Sequence, residues 1–249
     1  MISSQYVSRI ALQRERVDSF ERYPFSLPAV RSLHELELDP KVTFLIGENG
    51  SGKSTLLEAI AVSLGFNAEG GSKNFRFGTR RSHSALHEYL RVSKGFRRPR
   101  DGFFLRAESF FNVATEIEHL DEGFPGLPRV IDSYGGVSLH EQSHGESFLA
   151  LMTERFGGKG LYILDEPEAA LSPQRQLAVL SRMHDLVLDD SQFIVATHSP
   201  ILMAYPGARI YQCGPNGITD VTYQDTEHFQ VTRNFLLDPD RTLRELLKR

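Results

Sequence analysis

One stretch constrains this chain more than any other: Gly47-Glu48-Asn49-Gly50-Ser51-Gly52-Lys53-Ser54-Thr55 fits the spacing G-x-x-x-x-G-K-[ST]. The residues before it, 42–46 (Val-Thr-Phe-Leu-Ile), make a short apolar run suited to a strand buried on both faces. After it, Leu56, Leu57, Ile60, Ala61 and Leu64 recur at helical spacing until Gly65 ends the pattern. A glycine-rich turn between buried strand and helix start suits phosphate. The glycines let backbone N–H groups close around the anion, and the helix N-terminus adds partial positive charge. We therefore expect a Walker A loop that binds a nucleoside triphosphate through Gly47, Asn49, Gly50, Ser51, Gly52, Lys53, Ser54 and Thr55. Lys53 would reach the β and γ phosphates, and Ser54 would place its hydroxyl on Mg²⁺.

The chain has 249 residues, 40% hydrophobic and 24% charged, enough for one sizeable domain with an added lobe. No apolar run approaches the roughly 20 residues that span a bilayer, and Met1-Ile2-Ser3-Ser4-Gln5 lacks a basic segment followed by an apolar one. Direct membrane insertion is not expected. Cys213 is the single cysteine, so an intramolecular disulfide and a cysteine-based zinc site are excluded, in keeping with a reducing, cytoplasmic location. The net charge of -4 hides a local excess: residues 73–106 hold Lys73, Arg76, Arg80, Arg81, Arg91, Lys94, Arg97, Arg98, Arg100 and Arg106 against only Glu88 and Asp101. With Phe75, Phe77, Tyr89 and Phe96 interleaved, this segment suits contact with a nucleic-acid backbone; the alternative is a solvated basic face.

In chain order, alternation at residues 6–12 and an apolar segment at 33–38 predict a small, mostly β subdomain ahead of the loop strand. Tyr23 and Phe25 either stack on adenine or pack the β layer. Residues 85–92 read as the one helix in a Gly-, Ser- and Arg-rich stretch, 103–108 as a strand, and 116–122 as polar and acidic. Ser143 to Ser147 opens an amphipathic helix that Gly157-Gly158 stops. The run 161–164 is a strand ending in Asp165-Glu166, Ser172-Pro173 opens a helix, and 193–197 is a further strand ending at His198. Pro215-Asn216-Gly217 marks a hairpin, and helices are expected over 227–237 and 241–247.

The order of these pieces, GENGSGKST, then QSHGE at residues 142–146, ILDEPEAALSP and ATHSP, resembles the ABC-type ATPases over about residues 42–200. The resemblance implies an α/β P-loop fold: a mostly parallel sheet flanked by helices, with an N-terminal β subdomain and a helical, basic lobe. It divides the chain into a nucleotide-binding core, 1–66 and 157–249, and an insertion and signature-helix lobe, 67–156. It also implies that Asp165 holds Mg²⁺ with Ser54, that Glu166 polarises the attacking water, and that His198 contacts the γ-phosphate. Glu168 is the reserve base, rated lower because Pro167 turns the chain away. Ser143 and Gly145 would be signature residues binding the γ-phosphate held by a second copy, so that ATP joins two subunits.

Two departures stand out. Gln142-Ser143-His144-Gly145-Glu146 lacks the first glycine and the glutamine of the family's Leu-Ser-Gly-Gly-Gln, and no glutamine lies between Gln13 and Gln142 for the hinge, where Glu108 is the substitute. The surrounding text is most similar to the soluble branch with RecF, chromosome-maintenance and overcoming-lysogenization-defect type ATPases. That likeness implies an ATP-dependent homodimer coupled to nucleic acid or a partner effector; the alternative is the nucleotide-binding subunit of a membrane ABC transporter.

Overall fold

A computed structural model of the chain describes residues 5–73, 84–107, 110–123 and 129–247. Strand β1 (Val7–Leu12), the short helix α1 (Pro28–Arg31) and strand β2 (Glu35–Glu37) precede β3 (Val42–Gly47) and helix α2 (Lys53–Ser63). Strands β4 (Leu90–Lys94) and β5 (Asp101–Arg106), then helices α3 (Phe110–Gly123) and α4 (His144–Ala150), lead to β6 (Gly160–Asp165). Helix α5 (Pro173–Leu188), β7 (Gln192–Ala196), α6 (Pro200–Met203), the β8 (Arg209–Gly214) and β9 (Gly217–Val221) hairpin, α7 (Glu227–Leu237) and α8 (Pro239–Leu246) complete the order.

Two sheets result. The larger runs β5-β6-β7-β3-β8-β9, parallel except for the terminal hairpin, and the smaller is antiparallel in the order β2-β1-β4. Strand alternation divides the core between the faces of the large sheet. Phe44, Phe103, Tyr162 and Phe193 face helices α3 to α6, whereas Leu45, Phe104, Ile163 and Ile194 face α2 and the small sheet. With both faces covered, these strands have no polar side to keep, hence the nearly continuous apolar runs in the sequence.

The fold class is as expected, with three local differences. Residues 85–92 are not a helix: Ala85–Tyr89 is a 3₁₀ turn, and β4 follows because Arg91 and Val92 pair with Ala11 and Ile10 of β1. The acidic stretch at 116–122 belongs to α3, where Phe110, Val113, Ala114 and Ile117 are buried on one face and the Asp121 carboxylate accepts the Ile131 N–H at 3.1 Å. Within the stretch 67–156 expected as the lobe, β4 joins the small sheet and β5 forms the edge of the large one. Phe25 lies edge-on to Phe20 and Tyr89, with ring centroids 6.4 and 4.8 Å away, so packing engages it, while Tyr23 is exposed.

Candidate nucleotide site

The large sheet delivers its chemistry at one edge. Parallel register sets Arg106, Asp165 and Ala196 side by side at the C-terminal ends of β5, β6 and β7, with Gly47 ending β3 beyond them. Open α/β sheets bind their ligands at such ends.

The loop from Gly47 to Gly52 leaves β3 and turns directly into α2. Gly47 has φ +141°, and a Cβ there would lie 2.1 Å from the Cys213 carbonyl oxygen, so the close approach of β8 requires glycine. Gly50 (φ +81°) meets no neighbour; its requirement is conformational alone. The Ser51 N–H donates to the Glu48 carbonyl at 3.2 Å, and the Ser51 carbonyl accepts from the Ala29 N–H at 3.0 Å, bracing the loop on α1. The first amides of α2, at Lys53, Ser54 and Thr55, are the unsatisfied donors that a helix start offers an anion. Asn49 and Gly50 border a cleft of about 250 Å³ whose other wall is Gln212, Cys213, Gly214 and the first turn of α7.

Lys53 is buried, with Nζ 3.7 Å from Glu166 Oε1. His198 Nε2 lies 3.6 Å from the same oxygen. Glu166 adopts φ +51° and donates its N–H to the Ala196 carbonyl at 2.9 Å; this left-handed turn at the end of β6 aims the carboxylate back over the loop. Beside it, Asp165 is 6% exposed. Burial raises its carboxyl to about 7, against the pull of the Ser54 hydroxyl, which donates to it, and of the Arg106 charge. Its Oδ1 has no hydrogen-bond partner.

That orphaned oxygen fits a cation. Among the described residues no group of three or more His, Cys, Asp and Glu side chains forms a protein-only metal cage. A hard ion would draw on Asp165, Ser54 and phosphate oxygens, the sparse protein ligation typical of Mg²⁺.

Glu168 is not turned away. Its Oε1 accepts the His198 N–H at 2.6 Å, and burial raises its carboxyl, so Pro167 directs it beneath the histidine loop. It supports His198 from below, whereas Glu166 faces Lys53.

Ser143 and Gly145 lie elsewhere. Ser143 caps α4, its Oγ donating to Glu146 Oε2 at 2.6 Å while its N–H donates to the same oxygen at 3.1 Å. A Cβ on Gly145 would lie 2.8 Å from the Ala170 carbonyl, so α4 starts tight against the turn before α5. Glu146 serves this cap and reaches Arg175 at 3.3 Å. Glu108, the expected hinge residue, lies outside the described residues.

Sequence reasoning missed His228, whose Nε2 is 3.2 Å from His198 Nδ1. It stands outside every motif and had no local signal. Arg106 was counted with the basic face, yet it pairs with the buried Glu58 behind Asp165.

Phosphate loop, carboxylate-bearing neighbour strand and parallel order β6-β7-β3 give the chain a P-loop fold like that of an ATP-binding cassette. A model described as an AAA domain matches residues 25–113, and a second AAA-domain model, whose description adds an AbiEii toxin assignment in a type IV toxin–antitoxin system, matches 81–204. The fold is similar to an ATP-binding cassette of an ABC transporter at TM-score 0.51 and 16% identity, covering 94% of this chain and 96% of that one. A structure assigned as a metal-chelate type ABC transporter, in an inward-facing conformation, gives TM-score 0.46 and 16% identity over 80% of each chain, a likeness that carries no weight. No curated protein matches the sequence.

Proposed function

We propose that the protein binds and hydrolyses ATP, and dimerises around it. The observation that carries this reading is the convergence of Lys53, Glu166 and His198 within 3.7 Å over the phosphate loop. The loop amides and Lys53 hold the β and γ phosphates, and Ser54 with Asp165 forms the Mg²⁺ site. Bound Mg²⁺ offsets the charge on the phosphates. Glu166 accepts a hydrogen bond and then the proton from the attacking water, and His198 contacts the γ-phosphate. Residues 1–66 and 157–249 act as the nucleotide-binding core, and 67–156 carry the signature helix.

In this reading the start of α4 meets the ATP of a second copy; Ser143 there is exposed, while Gly145 is buried against Ala170 and Arg175. Replacing Lys53 by alanine is expected to weaken ATP binding about 10- to 100-fold, the 1.5–3 kcal/mol of a charge-assisted hydrogen bond. Titration calorimetry with ATP and Mg²⁺ checks this; unchanged affinity would remove Lys53 from the site.

Coupling to nucleic acid draws on the loop joining β4 to β5. Phe96 there is 89% exposed, among Lys94, Arg97, Arg98 and Arg100. The loop borders a cleft of about 690 Å³ that also takes in Lys73 and lies near the N-terminal ends of the parallel strands, away from the phosphate loop. Cations around an exposed ring suit a single strand, which offers phosphates and unstacked bases. Replacing Arg97, Arg98 and Arg100 together by alanine should lower the slope of log K against log salt by about 2–3. Fluorescence anisotropy on a labelled oligonucleotide reads this, and an unaltered slope would leave the loop a solvated basic face. Among the described residues no helix is long and apolar enough to cross a membrane. A cytoplasmic location and a partner effector belong to this proposal; the transporter-cassette likeness bears on the fold alone.

A further inference from the structure

His198 and His228 form a pair whose geometry restricts where the protons sit. His198 Nδ1 and His228 Nε2 are 3.2 Å apart, the rings tilted by 53°. His198 Nε2 is buried without a hydrogen-bond partner and faces Glu166 at 3.6 Å, and His228 Nδ1 is likewise buried and unpartnered. Burial first, and for His198 the Lys53 charge next, push both rings below the ordinary histidine range; both are therefore neutral near pH 7.

A neutral imidazole carries one N–H. Between two neutral rings, one nitrogen of the contact donates and the other accepts. If His228 Nε2 donates, His198 Nδ1 is bare and the His198 proton must sit on Nε2, on the side of Lys53 and Glu166. If the order is reversed, His198 presents a bare nitrogen there, which repels a phosphate oxygen and cannot donate to it.

The Glu166 carboxylate facing His198 Nε2 favours the proton on that nitrogen, and the segment bearing His228 is held in place beside His198. Thr226 is fully buried and caps α7, its Oγ1 accepting the Phe229 N–H at 3.3 Å. The Tyr223 hydroxyl donates to the Pro200 carbonyl at 2.9 Å, tying the approach to α7 to the residues just beyond His198. The Glu168 carboxylate holds the His198 N–H from the other side.

Resting on the ATPase reading, we infer that His228 is a positioning residue: by donating from Nε2 to His198 Nδ1 it keeps the His198 proton on Nε2, ready for the γ-phosphate. Helix α7 thereby becomes part of the hydrolytic apparatus. The test uses the full chain, with histidine ¹⁵N NMR and steady-state turnover on wild type, His228→Leu and His228→Gln. Wild-type His198 should appear as the Nε2–H tautomer. The leucine variant, of similar bulk but without a donor, should show a tautomer mixture and a kcat about 3- to 10-fold lower, the worth of one neutral hydrogen bond, with KM for ATP within about 2-fold. Glutamine, whose amide N–H can donate to the same nitrogen, should restore both.

An Nδ1–H tautomer in wild-type His198 would overturn the inference, whatever the variants do. So would a glutamine variant as slow as the leucine one, which marks a merely structural role. Wild-type phosphate release no faster than that of Lys53→Ala would instead sink the ATPase reading, while the tautomer measurement still decides the pairing.

Discussion

Replacing Glu166 by glutamine should lower ATP turnover by about 10²- to 10⁴-fold, the range over which a positioned general base contributes. Glutamine keeps the size and the ability to accept a hydrogen bond but removes the charge that draws a proton from water. The carboxylate lies 3.7 Å from Lys53 Nζ and 3.6 Å from His198 Nε2, so the substitution also removes the anion shared by two groups that meet the phosphates. ATP affinity should hold or improve. Light scattering of this variant with ATP and Mg²⁺ should then show a dimer that disperses when nucleotide is withdrawn. Phosphate release at the wild-type rate would remove Glu166 as base, and a protein that stays monomeric at saturating ATP would end the proposal of a shared site.

Asp165→Asn should act in two opposite directions. Loss of the anionic ligand opposite Ser54 should cost turnover on the order of 10²-fold or more, since metal ligation is worth several kcal/mol at a transferring phosphoryl group. Without nucleotide and metal, however, the variant should be more stable than wild type at pH 8. An unfolded aspartate ionises near 3.9, whereas burial raises the native carboxyl to about 7. A raised value means that the side chain's contribution to stability is complete below the unfolded pKa and lost as pH rises through the native one. Wild type at pH 8 therefore holds a dry, ionised carboxylate that asparagine does not, a difference on the order of 4 kcal/mol. Urea denaturation in chelator should show that gap at pH 8 and little of it at pH 4. Equal stabilities at pH 8 would mean the carboxyl is better solvated than its burial indicates.

The parallel strands were legible because burial on both faces writes itself into consecutive residues: 42–46, 161–164 and 193–197 hardly alternate. The phosphate loop was legible because its spacing reports a backbone shape, and Gly47, Gly50 and Gly52 all adopt positive φ. Helix α3 was hidden by its charge, although Phe110, Val113, Ala114 and Ile117 carry the helical period. Residues 85–92 contain apolar positions that suit a short helix, and only the partner strand, about 80 residues earlier, decides for β4. The Glu168 side chain depends on a turn that proline alone does not specify, and the nearness of His228 to His198 depends on how α7 docks. Local motifs named residues on contiguous loops and strand ends that the fold brings together at one edge of the sheet; the contacts assembled by distant segments left no mark in the spacing.

The single cysteine, Cys213, is 1% exposed beneath the phosphate loop, and burial pushes its thiol up to about 12. At neutral pH almost none of it is thiolate, so alkylating and spin-labelling reagents would pass it by. The native chain is thus already a silent background for site-directed labels. A reporter cysteine introduced at Phe96 or on α7 would take up the probe alone, and inter-copy distances could be followed through a catalytic cycle without first removing any natural residue.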